Sequence, residues 1–327
     1  MAKYIVKRLL QLIPVLFGVS LIVFFLMRVC APDPAAIVLG QHATQESMEA
    51  WRQYIDFIKG ALTGDLGTSY YTKTPVTQEI ISRFPATVEL AVVAIILASV
   101  LGIAIGVISA VRKNSIFDNG GMLLSLVGVS IPIFWLGILL IILFSGTLHW
   151  LPSTGRIDPA LRPDTITGFM IIDSILTGNT EALVDALRHM VLPAITLSLY
   201  SMAIIARMTR SSMLETLNQD YIRTARAKGV PEKKVNKRHA LRNAMLPVAT
   251  VIGLQLGSLL GGAVLTESVY SWPGIGNYTV QCIMKSDFPV VQGVVLLIAV
   301  IFVLMNLIVD VIYAFLDPRI KYAKKEA

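Results

Sequence analysis

Six stretches of the chain are apolar for long enough to cross a hydrocarbon core of about 30 Å as helices: Leu9 to Met27, Ala86 to Val111, Asn119 to Leu148, His189 to Ala206, Ala244 to Leu265 and Pro289 to Leu316. The helices they predict span about 9–29, 86–111, 119–148, 189–208, 244–265 and 289–316, within one transmembrane domain covering 1–327. Barrel strands would give alternation instead of such runs. The predicted fold is therefore all-α, a polytopic transmembrane helix bundle. Two polar intervals carry their own patterns. Within an outer segment, 31–85, Trp51, Tyr54, Ile55 and Ile58 recur at helical spacing between Gln45 and Leu62, as in a surface-lying amphipathic helix. Within 209–243, Leu214 to Lys228 are good helix formers, with Leu214, Leu217, Tyr221 and Ala225 in an apolar stripe beside Arg223, Arg226 and Lys228. Gly229 then suits a helix stop and Pro231 a new start, so this interval predicts helix, sharp turn, helix.

Small and polar residues inside the runs refine the picture. Gly102 and Gly106 lie four apart, Ser130 to Gly137 reads SIPIFWLG, and Gly253, Gly257 and Gly261 share one helical face. Such positions suit close helix contact or a bend, and the last three should pack inside this chain or against a partner subunit. Glu89, Gln255, Gln292, Asn306 and Asp310 would be costly facing lipid, so each should face the bundle interior, a partner helix or water. Asn306 and Asp310 are one turn apart. Two roles are open for these residues, fastening helices by hydrogen bonds or lining a solute path.

Composition excludes an ordinary soluble domain: 55% of the 327 residues are hydrophobic and the mean hydropathy is +0.69. Charge sets the expected orientation. Of the 28 Lys and Arg, 19 fall in the N-terminal tail, at Arg112 and Lys113, between Arg207 and Arg242, or after Pro318. Positive-inside then places both termini and 209–243 in the cytoplasm, and the net charge of +7 is a topology signal with no case for nucleic acid. The first run is expected to remain as an uncleaved helix, because it is long and Arg28 before Cys30 spoils a lipoprotein-type cleavage site. Cys30 and Cys282 both fall on the outer side. A disulfide there is sterically conceivable, and two unpaired thiols are the simpler expectation.

Motifs for covalent chemistry are lacking in the sequence. No Gly-Lys pair occurs, so there is no phosphate loop of the G-x-x-x-x-G-K-[ST] type. His42, His149, His189 and His239 are scattered without ligand spacing, and no serine near a membrane boundary has a His or Asp partner at comparable depth. No catalytic, cofactor or metal residue is assigned.

The stretch DYIRTARAKG followed by RHALRNAMLPV resembles the coupling-loop signature of ATP-binding-cassette importer permeases, in their peptide and nickel branch. Arg223, Thr224 and Ala225 stand where the general motif has Glu-Ala-Ala, Gly229 matches its glycine, and its proline is displaced to Pro247. The opening YIVKRLLQLIPVLFGVSLIVFFLMRVCAPDPA, the outer GDLGTSYYTKTPVTQEIISRFPATVEL, and GGAVLTESVYSWPGIGNYTV from Gly261 to Val280 are similar to the same branch, and TITGFMIIDSIL to its dipeptide subgroup. Ala31 and Pro32 replace a usual Pro-Gly, and the outer segment is short.

The resemblance implies a type I importer permease in the bacterial inner membrane, paired with a homologous second permease and two cytoplasmic ATP-binding subunits. ATP and magnesium would sit on those subunits, and an extracytoplasmic binding protein would deliver a dipeptide or other small peptide. Oligopeptide, glutathione, haem and nickel import are near alternatives. Coupling to the ATPase would fall to Tyr221, Arg223, Thr224, Ala225, Ala227 and Gly229, with Glu89, Gln255, Asn306 and Asp310 as pathway or fastening residues. Competing readings are orientation or anionic-lipid binding for the basic stretch, an ion-coupled secondary transporter, which would need paired intramembrane charges, and a membrane enzyme.

Overall fold

The structure is a computed structural model that describes Pro14, 17–25 and 46–316. Helix α1 (17–25) is the described part of the first apolar run. Helix α2 (Glu46–Thr63) is the expected amphipathic helix; Ile58 and Leu21 of α1 both pack on Phe24 of α1, whereas Ile55 is 46% exposed. The side chains of Trp51 and Tyr54 lie outside the described residues.

Among the described residues, four helices are long and apolar enough to span a membrane: α3 (Val76–Val111), α7 (Thr180–Leu217), α10 (Leu241–Gly262, continuous with a wide turn from Glu232) and α13 (Phe288–Leu316). Helix α3 starts ten residues before the hydropathy run, and α7 exceeds its run at both ends. At 36 and 38 residues they measure about 54 and 57 Å, well beyond the hydrocarbon thickness. Their polar extensions therefore belong to the loops. Hydropathy marks where lipid stops, and the helical hydrogen-bond ladder continues past that point.

The run 119–148 corrects the expectation of one straight helix. It folds as α4 (Ile116–Ser130) and α5 (Ile133–Leu140, continued by a π-turn over Ile141–Thr147), bent by 103° at Ile131 and Pro132. Pro132 cannot donate to the ladder, and the residue before a proline is driven out of the helical region, so the axis breaks there.

The bundle is built around α7. Of its apolar window 67% is buried, against 33% or less for the other three spans. Its inner face mixes small residues with larger apolar ones, Ala194, Ser201, Ala203 and Ala206 being buried beside Leu197, Met202 and Ile205. Helix α3 comes close enough that a Cβ on Gly102 would lie 2.8 Å from the Met202 carbonyl oxygen, and one on Gly106 2.5 Å from Thr209 Cβ. Small residues thus set the α3–α7 distance. Gly257 and Gly261 of α10 face Met305 and Ile298 of α13, which makes these two positions of the ladder an internal contact. Between the spans lie α6 (Met170–Leu176), the short α8 (Asp220–Ala227) and α9 (Glu232–Lys234), and then α11 (Val264–Val269) and α12 (Ile275–Met284).

Candidate functional site

At the end of the bundle carrying residues 218–240, the basic end, α7 stops at Leu217 and the chain turns through Asn218 and extended Gln219 into α8. This corrects the single helix expected from Leu214 to Lys228. The apolar stripe changes with it. Ile222 and Ala225 are the buried side, in one cluster with Ala110 of α3, Met213 of α7, Val235, Ala240 and Ala244, while Tyr221 is 42% exposed. Complete burial of Ile222 contributes roughly 1.5–3 kcal/mol toward holding α8 against the spans. The outward face is Tyr221, Arg223, Thr224, Ala227 and Lys228.

The turn after α8 is fully bonded. Gly229, at φ +74°, donates to the Arg226 carbonyl, and Val230 donates to the Ala225 carbonyl at 3.2 Å, the paired bonds of a Schellman cap. Val230 packs on the same cluster as Ala225. Arg226 pairs with Glu232 across the turn at 2.8 Å, and Asn243 of α10 donates to the Tyr221 hydroxyl at 2.8 Å. The site is therefore a firmly seated helix whose exposed side carries an aromatic ring, a hydroxyl and cations. Ala225, expected on the docking face, lies beneath it because the break at Asn218 rotates α8 relative to α7.

The opposite end is fastened by buried polar groups. Glu89 of α3 accepts from Arg156 at 2.6 and 3.0 Å and from the Ile171 backbone N–H at 2.8 Å. Glu267 of α11, fully buried, accepts from the Thr87 hydroxyl at 2.7 Å and from Asn277 N–H at 2.9 Å, which closes the N-terminus of α12. Burial pushes the Glu267 carboxyl above its ordinary range, and the Thr87, Asn277 and Gly276 donors pull the other way. A Cβ on Gly274 would lie 2.4 Å from Glu267 Oε1, so the carboxylate fits only beside a glycine. Trp272 donates to the Ala86 carbonyl at 2.9 Å, and Tyr270 joins Thr196 of α7 to the Gly137 carbonyl of α5. Asp287 accepts from Ser69 and Tyr70, tying the turn before α3 to the start of α13. Asp173 feels burial most, yet bonds from Thr167 and Gly168 hold its carboxyl below the usual range.

Of the expected intramembrane group, Glu89 and Gln255 have fastening geometry; Gln255 accepts from Ser201 of α7 at 3.0 Å. Gln292 and Asn306 are half-buried in α13, and the side chain of Asp310 lies outside the described residues. The structure thus sets Tyr221 to Gly229 on one short helix and its cap, and gives Glu89 and Gln255 separate partners. Glu267, Arg156, Trp272 and Asp287 are organising residues that periodicity did not single out. Glu267 and Trp272 lie in the stretch from Gly261 to Val280 that carries the family resemblance. His149 and His189, expected to be unrelated, both line an open cleft of about 700 Å³ with Asp158, Asp185 and Arg188. Among the described residues no three His, Cys, Asp or Glu side chains converge as a metal site would need. Cys282 is a free, buried thiol, and Cys30 lies outside the described residues.

Residues 102–322 match the family described as the binding-protein-dependent transport system inner membrane component, and residues 1–91 match its N-terminal companion. The chain belongs to this family. Among its curated relatives, the di/tripeptide transport system permease protein DppB of Pseudomonas aeruginosa is 45% identical over 336 residues, covering 99% of this chain and 100% of that protein. The dipeptide transport system permease protein DppB of Escherichia coli K12 is 45% identical over 341 residues, with the same coverage. The glutathione transport system permease protein GsiC of Escherichia coli O6:H1 is 40% identical over 333 residues, covering 98% and 100%. In this inner membrane component, the helix-on-bundle site at the basic end and the polar clamps at the other are thus features of a multi-pass transport subunit.

Proposed function

We propose that the chain is the permease subunit through which an ATP-driven importer passes dipeptides, or similarly small peptides, into the cytoplasm. The substrate class rests on the relatives' names, two at 45% identity being dipeptide or di/tripeptide permeases while the glutathione permease stands at 40%. In this reading the basic end and both termini face the cytoplasm, a homologous second permease completes the pathway, and two separate subunits carry ATP and magnesium. A binding protein delivers the peptide from outside.

The observation that carries the mechanism is the two-sided α8. Its outer face of Tyr221, Arg223, Thr224, Ala227 and Lys228 is free for an ATPase groove, while Ile222 and Ala225 lock it to residues at the ends of α3, α7 and α10. Pulling on α8 therefore displaces three spanning helices together, and nucleotide-driven closure of the ATPases shifts the bundle between outward and inward access.

The test uses exposed positions. Thr224→Glu and Ala227→Asp would place a carboxylate in the contact, a cost of a few kcal/mol that loosens docking at least about tenfold. The expected result is a permease of normal abundance that loses its ATPase subunits and its dipeptide uptake in vesicles. Normal retention and uptake in both variants would return the loop to the orientation-and-lipid reading. Competition of uptake by defined dipeptides against glutathione then checks the substrate class.

A further inference from the structure

We propose that the turn joining α3 to α4, Arg112 to Phe117, together with the outward face of α4, is a binding site for one anionic phospholipid.

The turn is held rigidly from inside. Asn114 takes φ +60°, its N–H donates to Asp118 Oδ2 at 3.0 Å, and Ser115 caps α4. Asp118, 2% exposed, is gripped by Arg210 of α7 at 2.6 and 2.8 Å. The only acid of the turn is thereby neutralised by a cation from another helix. Arg112 and Lys113 are left exposed, and neither makes an ion pair among the described residues. The Arg112 guanidinium lies 4.6 Å from the Phe117 ring centroid, which fixes its direction without neutralising it.

Beside these cations the surface is apolar where a loop would ordinarily be polar. Ile116 is 82% exposed and Phe117 53%, and the exposure continues along α4 through Leu123 at 61%, Leu124 at 45% and Val127 at 42%. Ile116, Leu123 and Val127 lie on one side of the helix. Gly120 stands between them with nothing within 4 Å of where a Cβ would be, leaving a notch one turn in from the cations. Paired cations for a phosphate, then an aromatic and aliphatic face with a notch for an acyl chain, fit the two ends of one lipid. A soluble protein partner would need the apolar face to leave the membrane. Ile108 and Val111, in the last turn of α3 before the cations, are exposed and apolar as well.

Native mass spectrometry of the full-length permease, purified in neutral detergent with its co-purifying subunits, tests the site. Phosphatidylglycerol and phosphatidylcholine are offered in equal amounts. The expected result is retention of phosphatidylglycerol preferred at least about tenfold, falling to near parity in Arg112→Gln/Lys113→Gln. Phe117→Ser should weaken retention of both lipids, Arg223→Gln/Lys228→Gln on α8 should leave the preference unchanged, and millimolar inorganic phosphate should not displace the lipid. Melting of each variant in phosphatidylcholine nanodiscs at the wild-type temperature shows that the fold is intact. Parity in the wild type, an undiminished preference in the Arg112/Lys113 variant, loss of preference in the α8 control, or displacement by phosphate would overturn the proposal.

Discussion

Arg156 shows how much one side chain from a loop can decide. It and Glu89 are both nearly inaccessible, with side-chain exposures of 9% and 6%, and the pair is completed by the Ile171 N–H and the Gly168 carbonyl. Burying two charges is expensive, so the pair adds little net stability while intact, yet removing one partner strands the other. Arg156→Ala is therefore expected to cost about 3–5 kcal/mol, whereas Glu89→Gln with Arg156→Met should recover most of that loss. Thermal unfolding of the purified chain measures both; a double variant as unstable as the single one would show that the clamp does not act as a pair. From the sequence, Glu89 was legible as an interior carboxylate because lipid forbids the alternative. Its partner was not, because Arg156 lies 67 residues away in a segment with no periodicity.

Among elements, α8 turns on its C-terminal glycine. Gly229 has open space around its Cα, so a side chain there meets no atom, and the cost of substitution is conformational alone. Gly229→Val should lose roughly 1–2 kcal/mol from the left-handed backbone, and Gly229→Asn clearly less, since asparagine tolerates that region. Proteolysis of the loop in the intact permease should quicken for valine and remain near wild type for asparagine. Equal effects of the two would place the cause elsewhere than in φ. The glycine was readable as a helix stop from its place before Pro231. That α8 is a separate helix was hidden, because Asn218 and Gln219 are tolerated inside helices and break this one only where burying Ile222 on Met213 and Val235 requires a turn.

For the whole molecule, the two ends differ in kind. The basic end has exposed cations on a seated helix, and the opposite end has buried carboxylates and aromatic donors clamping loops onto α3 and α7. The proposed orientation is tested by single cysteines at exposed sites in a background lacking Cys30 and Cys282. Thr165→Cys should react with an impermeant thiol reagent from outside, and Lys233→Cys should not. Labelling at 233 in intact cells with protection at 165 would invert the topology and remove the ATPase reading of α8. Ser69 is a poor reporter for the outer segment: its hydroxyl is buried against Asp287.

By itself the sequence determined the membrane setting, the all-α class, a proline at 132 that suits either close helix contact or a bend, the close-packed faces of Gly102 with Gly106 and of Gly257 with Gly261, and the position of the basic loop along the chain. Each follows from a local rule: hydrocarbon thickness, the missing proline donor, the size of a glycine, the spacing of charge. Only the tertiary structure decided how far α3 and α7 extend, that the bend is sharp enough to make two helices, that α8 buries Ile222 with Ala225 and presents Tyr221 with Thr224, and that Glu267 caps α12. Those outcomes depend on which surfaces meet across the bundle. Burial and hydrogen-bond satisfaction there are properties of pairs far apart in the chain, such as Thr87 with Glu267 or Asp118 with Arg210, and no window along the sequence contains both members.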